Sequence, residues 1–114
     1  MDITAASFAF AALSQPVRLD VFQLLVSAGP QGLAAGDIAD ALSTKQNTMS
    51  ANLAVLLRAG LITNERAGRS IVYRANMEAM TALIGFMLQD CCGGKPELCM
   101  PALKSIIFNP VCEC

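Results

Sequence analysis

The apolar residues of this chain keep a helical spacing as far as Gly60, switch to a strand-like pattern, and return to helical spacing from Met77. That order allows a few short helices interrupted by one two-stranded hairpin. It does not suit a parallel α/β sheet, whose strands must alternate with helices. With 114 residues there is room for one core. Few aromatics and much alanine, leucine and methionine favour helices.

Residues 3–13 read as a helix with Phe8, Ala9, Ala12 and Leu13 along one stripe. Ser14 is placed to cap a second helix that opens with Pro16 and runs to about Ser27, burying Val17, Val21, Leu24 and Leu25. Gly29-Pro30-Gln31-Gly32 then turns the chain. A short third helix over 35–42 directs Ile38, Ala41 and Leu42 inward. Ser43-Thr44-Lys45-Gln46 has the form of a capping box for a fourth helix that runs to about Ala59 and buries Met49, Leu53, Leu56 and Leu57, with Gly60 as its stop. Residues 61–66 and 70–74 form two strand-like runs joined by Ala67-Gly68-Arg69. A last helix, about Met77 to Asp90, carries Met80, Leu83, Ile84, Met87 and Leu88, and residues 95–114 form an irregular tail.

The net charge is −1, but it is unevenly spread. Lys45, Arg58, Arg66, Arg69 and Arg74 face only Glu65 within residues 45–74, whereas the segments on either side are acidic. Phosphate contact needs such a local positive face, whatever the total. Two short helices with a tight turn, followed by a hairpin, are the parts of a winged helix-turn-helix, whose second helix enters the major groove N-terminus first. That end offers Lys45, Gln46, Asn47, Thr48, Ser50 and Asn52. Amides can bond adenine in two places, hydroxyls suit bases or phosphates, and Lys45 favours phosphate. Arg66 and Arg69 lie at the hairpin tip, where a wing meets the DNA backbone or minor groove. For each residue alone a solvated helix face explains the polarity as well; their combination points to double-stranded DNA.

All five cysteines follow residue 90: Cys91, Cys92, Cys99, Cys112 and Cys114. There is no histidine, so a soft ion held there needs thiolates, with carboxylates as the remaining help. Zinc usually takes four ligands in a tetrahedron. Trivalent arsenic and antimony take three sulfurs in a pyramid, so the set Cys91, Cys92 and Cys99 suits the metalloid. Adjacent helical side chains diverge by about 100°; Gly93-Gly94 offers the backbone freedom to bring both thiols to one centre. Lys95 favours a neighbouring thiolate. Three other readings stand beside this one: packing residues, a four-sulfur zinc set using Cys112 or Cys114, and a redox switch. The N-terminus has no basic region before its apolar stretch, and no run reaches the roughly 18 apolar residues of a membrane span. A cytoplasmic protein with reduced thiols and no membrane partner is expected.

The stretch DIADALSTKQNTMSANLAVLLRAGLITNERAGRSIVYR, with LSQPVRLDVFQLL before it, resembles the ArsR/SmtB family of metal- and metalloid-responsive winged-helix repressors, over about residues 6–92. The resemblance implies a fold that is mainly α with a two-stranded β-hairpin and a homodimer through the first and last helices. It also implies palindromic operator DNA and release when an inducer binds. Many members have histidine where Asn52 stands. Other members sense metals through a cysteine motif in the third helix, absent from GDIADAL here, or through histidines and carboxylates on the last helix, where this chain has only Glu78 and Asp90. CCGGKPELC resembles the tail site of arsenite-responsive members, which implies Cys91, Cys92 and Cys99 as ligands.

The expectation is therefore a repressor and not an enzyme. Residues 1–90 bind DNA and dimerise, and 91–114 form the inducer tail. As(III) is the inducer, with Sb(III) as a second, and there is no organic cofactor. The alternatives are a redox-responsive or zinc/cadmium-responsive repressor of the same fold, or a metalloid-binding chaperone.

Overall fold

The capping groups set where the helices begin. Asp2 Oδ1 accepts from the Ala5 amide at 2.8 Å and opens α1 (Ile3–Leu13). Gln15 Oε1 accepts from the Arg18 amide at 3.0 Å and opens α2 (Pro16–Ala28), with Pro16 in its first turn. The expected cap, Ser14, closes α1 instead: its amide and hydroxyl both donate to the Ala11 carbonyl, at 3.3 and 2.8 Å. These assignments come from a computed structural model in which residues 1–88 are described. A 3₁₀ turn (Gly29–Gln31), β1 (Leu33–Ala34), α3 (Ala35–Ala41), α4 (Gln46–Arg58), β2 (Ile62–Ala67), β3 (Ser70–Ala75) and α5 (Met77–Met87) follow.

Strands β2 and β3 pair antiparallel from Ile62↔Ala75 to Ala67↔Ser70, with Gly68, at φ 64°, in the turn. β1 adds a third strand through Leu33↔Tyr73 and Ala34↔Val72, giving the order β1-β3-β2. The sequence reading lacks β1 because two residues show no period. Gly32 makes the pairing possible. It sits at φ +68°, and a Cβ there would lie 2.5 Å from the Tyr73 carbonyl oxygen.

Val21, Leu25, Ile38, Met49, Leu53, Leu56 and Leu61 form the fully buried centre, joined by Phe22, Ile62 and Tyr73. Against this centre α1 presents Ala6, Ala9 and Ala12, whose small side chains let the helix approach closely. Phe8, expected inward, is 49% exposed, and Phe10 is exposed too. In α3 the inward pair is Ile38 and Ala39, while Ala41 is exposed and Leu42 half-buried. The expected capping box also fails. Thr44 Oγ1 donates to the Leu42 carbonyl at 3.0 Å, so this hydroxyl closes α3, and α4 follows Lys45 with no side-chain cap.

Asn76 fastens α5. Its Oδ1 accepts from the Ala79 amide at 3.2 Å, while its Nδ2 donates to the Gly60 carbonyl at 2.9 Å. Of the five apolar residues expected inward on α5, Leu83 is fully buried and Met80 and Leu88 are half-buried. Ile84 and Met87 are exposed. Residues 89 and 90, assigned to this helix by the sequence reading, lie outside the described residues, as does the tail. No helix among the described residues is long and apolar enough to cross a membrane.

Candidate nucleic-acid interface

Helices α3 and α4, with the turn between them, form the helix-turn-helix, and β2–β3 form the wing beside it. Met49, Leu53 and Leu56 hold α4 on the core. That leaves Gln46, Asn47, Thr48 and Ser50 exposed around its N-terminal turns, with Lys45 exposed just ahead of them. Four amide N–H groups lack intrahelical partners at such an end, which suits it to a phosphate. Asn47 Oδ1 already accepts from the Thr48 amide at 2.9 Å. Gln46 lies close to α3: its Nε2 would be 3.2 Å from a Cβ on Gly36.

Arg66 and Arg69 are exposed at the wing tip. Arg74 is not available in the same way, because it bonds Glu65 and the Pro30 carbonyl. The remaining cations of the basic segment, Lys45, Arg58, Arg66 and Arg69, have no carboxylate partner among the described residues.

One candidate reader is misplaced by sequence reasoning. Asn52 is 9% exposed, the single buried polar side chain among the described residues. Its Oδ1 accepts from Arg18 Nη1 at 3.3 Å and its Nδ2 donates to the Thr48 carbonyl at 3.2 Å. It faces α2, not the outer surface, because position 52 falls between Met49, Leu53 and Leu56 on the helical wheel. Arg18 is the residue that sequence reasoning misses. Its one signal is a lone cation in an otherwise acidic segment.

Among the described residues no group of three or more histidine, cysteine, aspartate or glutamate side chains could hold a metal. Cys91, Cys92 and Cys99, the expected ligands, lie outside the described residues.

A helix-turn-helix domain family matches residues 13–65. The HTH-type transcriptional regulator YbzH of Bacillus subtilis is 34% identical over 68% of this chain and 90% of its own length. The transcriptional repressor SdpR of the same organism is 32% identical over 78% of this chain and 96% of its own. Among solved structures, an ArsR-like transcriptional regulator from Rhodococcus superposes with a TM-score of 0.67 at 25% identity, covering 91% of this chain and 93% of that one. This chain belongs to the ArsR family of helix-turn-helix transcriptional regulators. Two further solved structures carry more specific descriptions. A homodimeric winged helix-turn-helix DNA-binding domain from Mycobacterium bovis has a TM-score of 0.62 at 28% identity, over 77% of this chain and 82% of that one. A possible transcriptional regulator for arsenical resistance has a TM-score of 0.59 at 27% identity, over 68% and 77%.

The fold expected from the residue pattern is thus that of the family, mainly helical with a small antiparallel sheet serving as the wing. An ArsR-family regulator binds DNA and is not an enzyme.

Proposed function

We propose that this ArsR-family regulator is a homodimeric, cytoplasmic repressor that leaves its double-stranded operator when trivalent arsenic, or antimony, binds Cys91, Cys92 and Cys99. Residues 1–90 would then bind DNA and dimerise, and 91–114 would carry the inducer site. The observation that carries this reading is the thiol cluster: three cysteines within nine positions follow a DNA-binding unit in a chain without histidine. Such a donor set favours a soft ion that accepts three sulfurs. The neighbour described as a possible transcriptional regulator for arsenical resistance and the homodimeric neighbour support the two halves of the reading.

DNA contact is assigned to Lys45, Gln46, Asn47, Thr48 and Ser50 of the helix-turn-helix and to Arg66 and Arg69 of the wing. A dimer must present two α4 helices to successive major grooves, about 34 Å apart. The thiols follow α5 closely in sequence. Gathering them around one ion alters the end of an interface helix and so the spacing of the two reading helices. A hundredfold loss of operator affinity requires about 2.7 kcal/mol of coupling.

Fluorescence anisotropy of a labelled duplex, selected by the reduced protein from a random library, tests this. Arsenite and antimonite should release the duplex, zinc and cadmium should not, and Cys91→Ser, Cys92→Ser or Cys99→Ser should prevent release. Full release from the Cys91→Ser and Cys92→Ser proteins, or a duplex still bound at saturating arsenite, refutes the reading.

A further inference from the structure

We propose that Arg18 and Asn52 are positioning residues for DNA reading: a hydrogen-bonded relay that locks α4 against α1 and takes no base itself. The inference rests on α4 being the groove-facing helix. The relay crosses three helices. Arg18, in the first turn of α2, donates from Nε to the Ala12 carbonyl of α1 at 2.6 Å and from Nη1 to Asn52 Oδ1 of α4 at 3.3 Å. Asn52 Nδ2 then donates to the Thr48 carbonyl at 3.2 Å, at the end of α4 that carries Gln46, Asn47 and Thr48.

Each member suits its place. The Ala12 carbonyl is among the last four of α1, which have no intrahelical donor, and a guanidinium there also meets the negative end of the helix dipole. The guanidinium is half-buried, its fork reaching two acceptors on two different helices. Asn52 occupies a position, three after Met49 and four before Leu56, where an apolar side chain would extend the buried stripe. An amide there is a weaker helix former and gains little from burial. What it adds is direction. Apolar burial is non-directional, whereas hydrogen bonds fail outside a narrow window of length and angle.

The required precision is small in absolute terms. Side-chain ends lie about 5–6 Å from a helix axis, so a rotation of about 10° moves them by about 1 Å. That displacement is enough to break a two-point bond between an amide and a base. Holding α4 to within such a rotation is the task the relay performs. Because its other end is an α1 carbonyl, any shift of α1 also reaches α4 through Arg18.

A double-mutant cycle on the full chain tests this, using the selected duplex, a random duplex and the set of single-base-pair variants of the selected one. Asn52→Leu and Arg18→Met should each weaken binding to the selected duplex about tenfold or more. Binding to the random duplex should stay within about twofold, and the loss should be uniform across the base-pair variants. The double variant should be no weaker than the worse single. A purely stabilising role would move the thermal midpoint, followed by circular dichroism, and leave the selected-to-random ratio intact. If Arg18→Met does not fold, Arg18→Lys takes its place; it keeps the charge but cannot span both acceptors. Additive losses, an unchanged ratio, or relaxed preference at one base pair on Asn52→Leu would overturn the relay, the last by making Asn52 a base reader. Unimpaired binding by a Gln46→Ala/Asn47→Ala protein would overturn the assignment of α4 itself, and the relay's role with it.

Discussion

Glu65 and Arg74 meet diagonally across the wing, Arg74 Nη1 donating to Glu65 Oε1 at 3.0 Å. The same guanidinium donates from Nε to the Pro30 carbonyl at 2.7 Å, tying the hairpin to the turn after α2. Arg74 is therefore a structural cation, and the lone acid of the basic segment is matched by it. Both side chains are partly exposed, so the pair contributes under about 1 kcal/mol to stability. Glu65→Gln should leave the urea midpoint nearly unchanged and tighten DNA binding a few-fold at low salt, with the gain fading as salt rises. Weaker DNA binding in that variant would contradict the placement of the wing against phosphate.

The arginines at the wing tip are a different case. Arg66 and Arg69 are exposed, with no carboxylate partner among the described residues. Each should contact phosphate or the minor groove. Arg66→Ala and Arg69→Ala should weaken binding to all duplexes alike. For each phosphate no longer neutralised, the slope of log affinity against log salt should become shallower by about 0.9. Affinity measured across a salt series gives the answer; an unchanged slope in both variants would remove the wing from the interface.

Much of this arrangement is legible in the residues themselves. Pro16, the glycine-proline turn at Gly29-Pro30 and Gly60 punctuate the helices strongly enough to place α2 and α4 within a residue or two. The hairpin is legible from its alternation and from Gly68. Where the reading fails, a local signal has two valid uses. Ser14 and Thr44 each stand between two helices, and a hydroxyl can close the first as readily as open the second. Asn52 reads as a DNA contact because an amide on a helix looks solvated. Its partner, Arg18, lies 34 positions away in the chain, and no local pattern carries that pairing. Phe8 reads as part of one stripe with Ala9, Ala12 and Leu13, but the close approach of α1 selects Ala6, Ala9 and Ala12 for the inner stripe.

Two glycines with nearly the same backbone angle should respond differently to the same change. Gly32 and Gly29 sit at φ +68° and +69°. A Cβ on Gly32 would meet the Tyr73 carbonyl at 2.5 Å and the Val72 and Arg74 side chains at 2.8 Å, whereas one on Gly29 would meet nothing within 4 Å. Gly29→Ala should therefore cost only the conformational term, about 1–3 kcal/mol for a side chain at φ 69° and ψ −154°. Gly32→Ala should cost at least about 2 kcal/mol more, because the carbonyl belongs to strand backbone that cannot yield without detaching β1. Since α3 begins directly after β1, the same variant should also weaken DNA binding. Urea unfolding of the two proteins side by side isolates the packing term, and equal losses would argue against the close β1–β3 approach.

The outer faces of α1 and α5 remain apolar in a way the packing of the described residues does not use. Ile3, Phe8 and Phe10 on α1 and Met77, Ile84 and Met87 on α5 are exposed, although the two helices touch. Covering what is still exposed of each such side chain is worth about 1 kcal/mol, and an interface between two copies would cover several at once. Phe8→Glu and Ile84→Asp should therefore convert a dimer into a monomer in sedimentation velocity. Neither should disturb the monomer fold by more than about 0.5 kcal/mol, because both positions already face solvent within the chain. The helical circular dichroism should accordingly persist. A palindromic duplex should then bind far more weakly, while a single half-site should bind almost as before, since the two reading helices are no longer tethered but each still fits its own groove. Wild-type protein that sediments as a monomer at tens of micromolar, or a Phe8→Glu protein that keeps full affinity for the palindrome, would show that these faces serve some purpose other than pairing two copies.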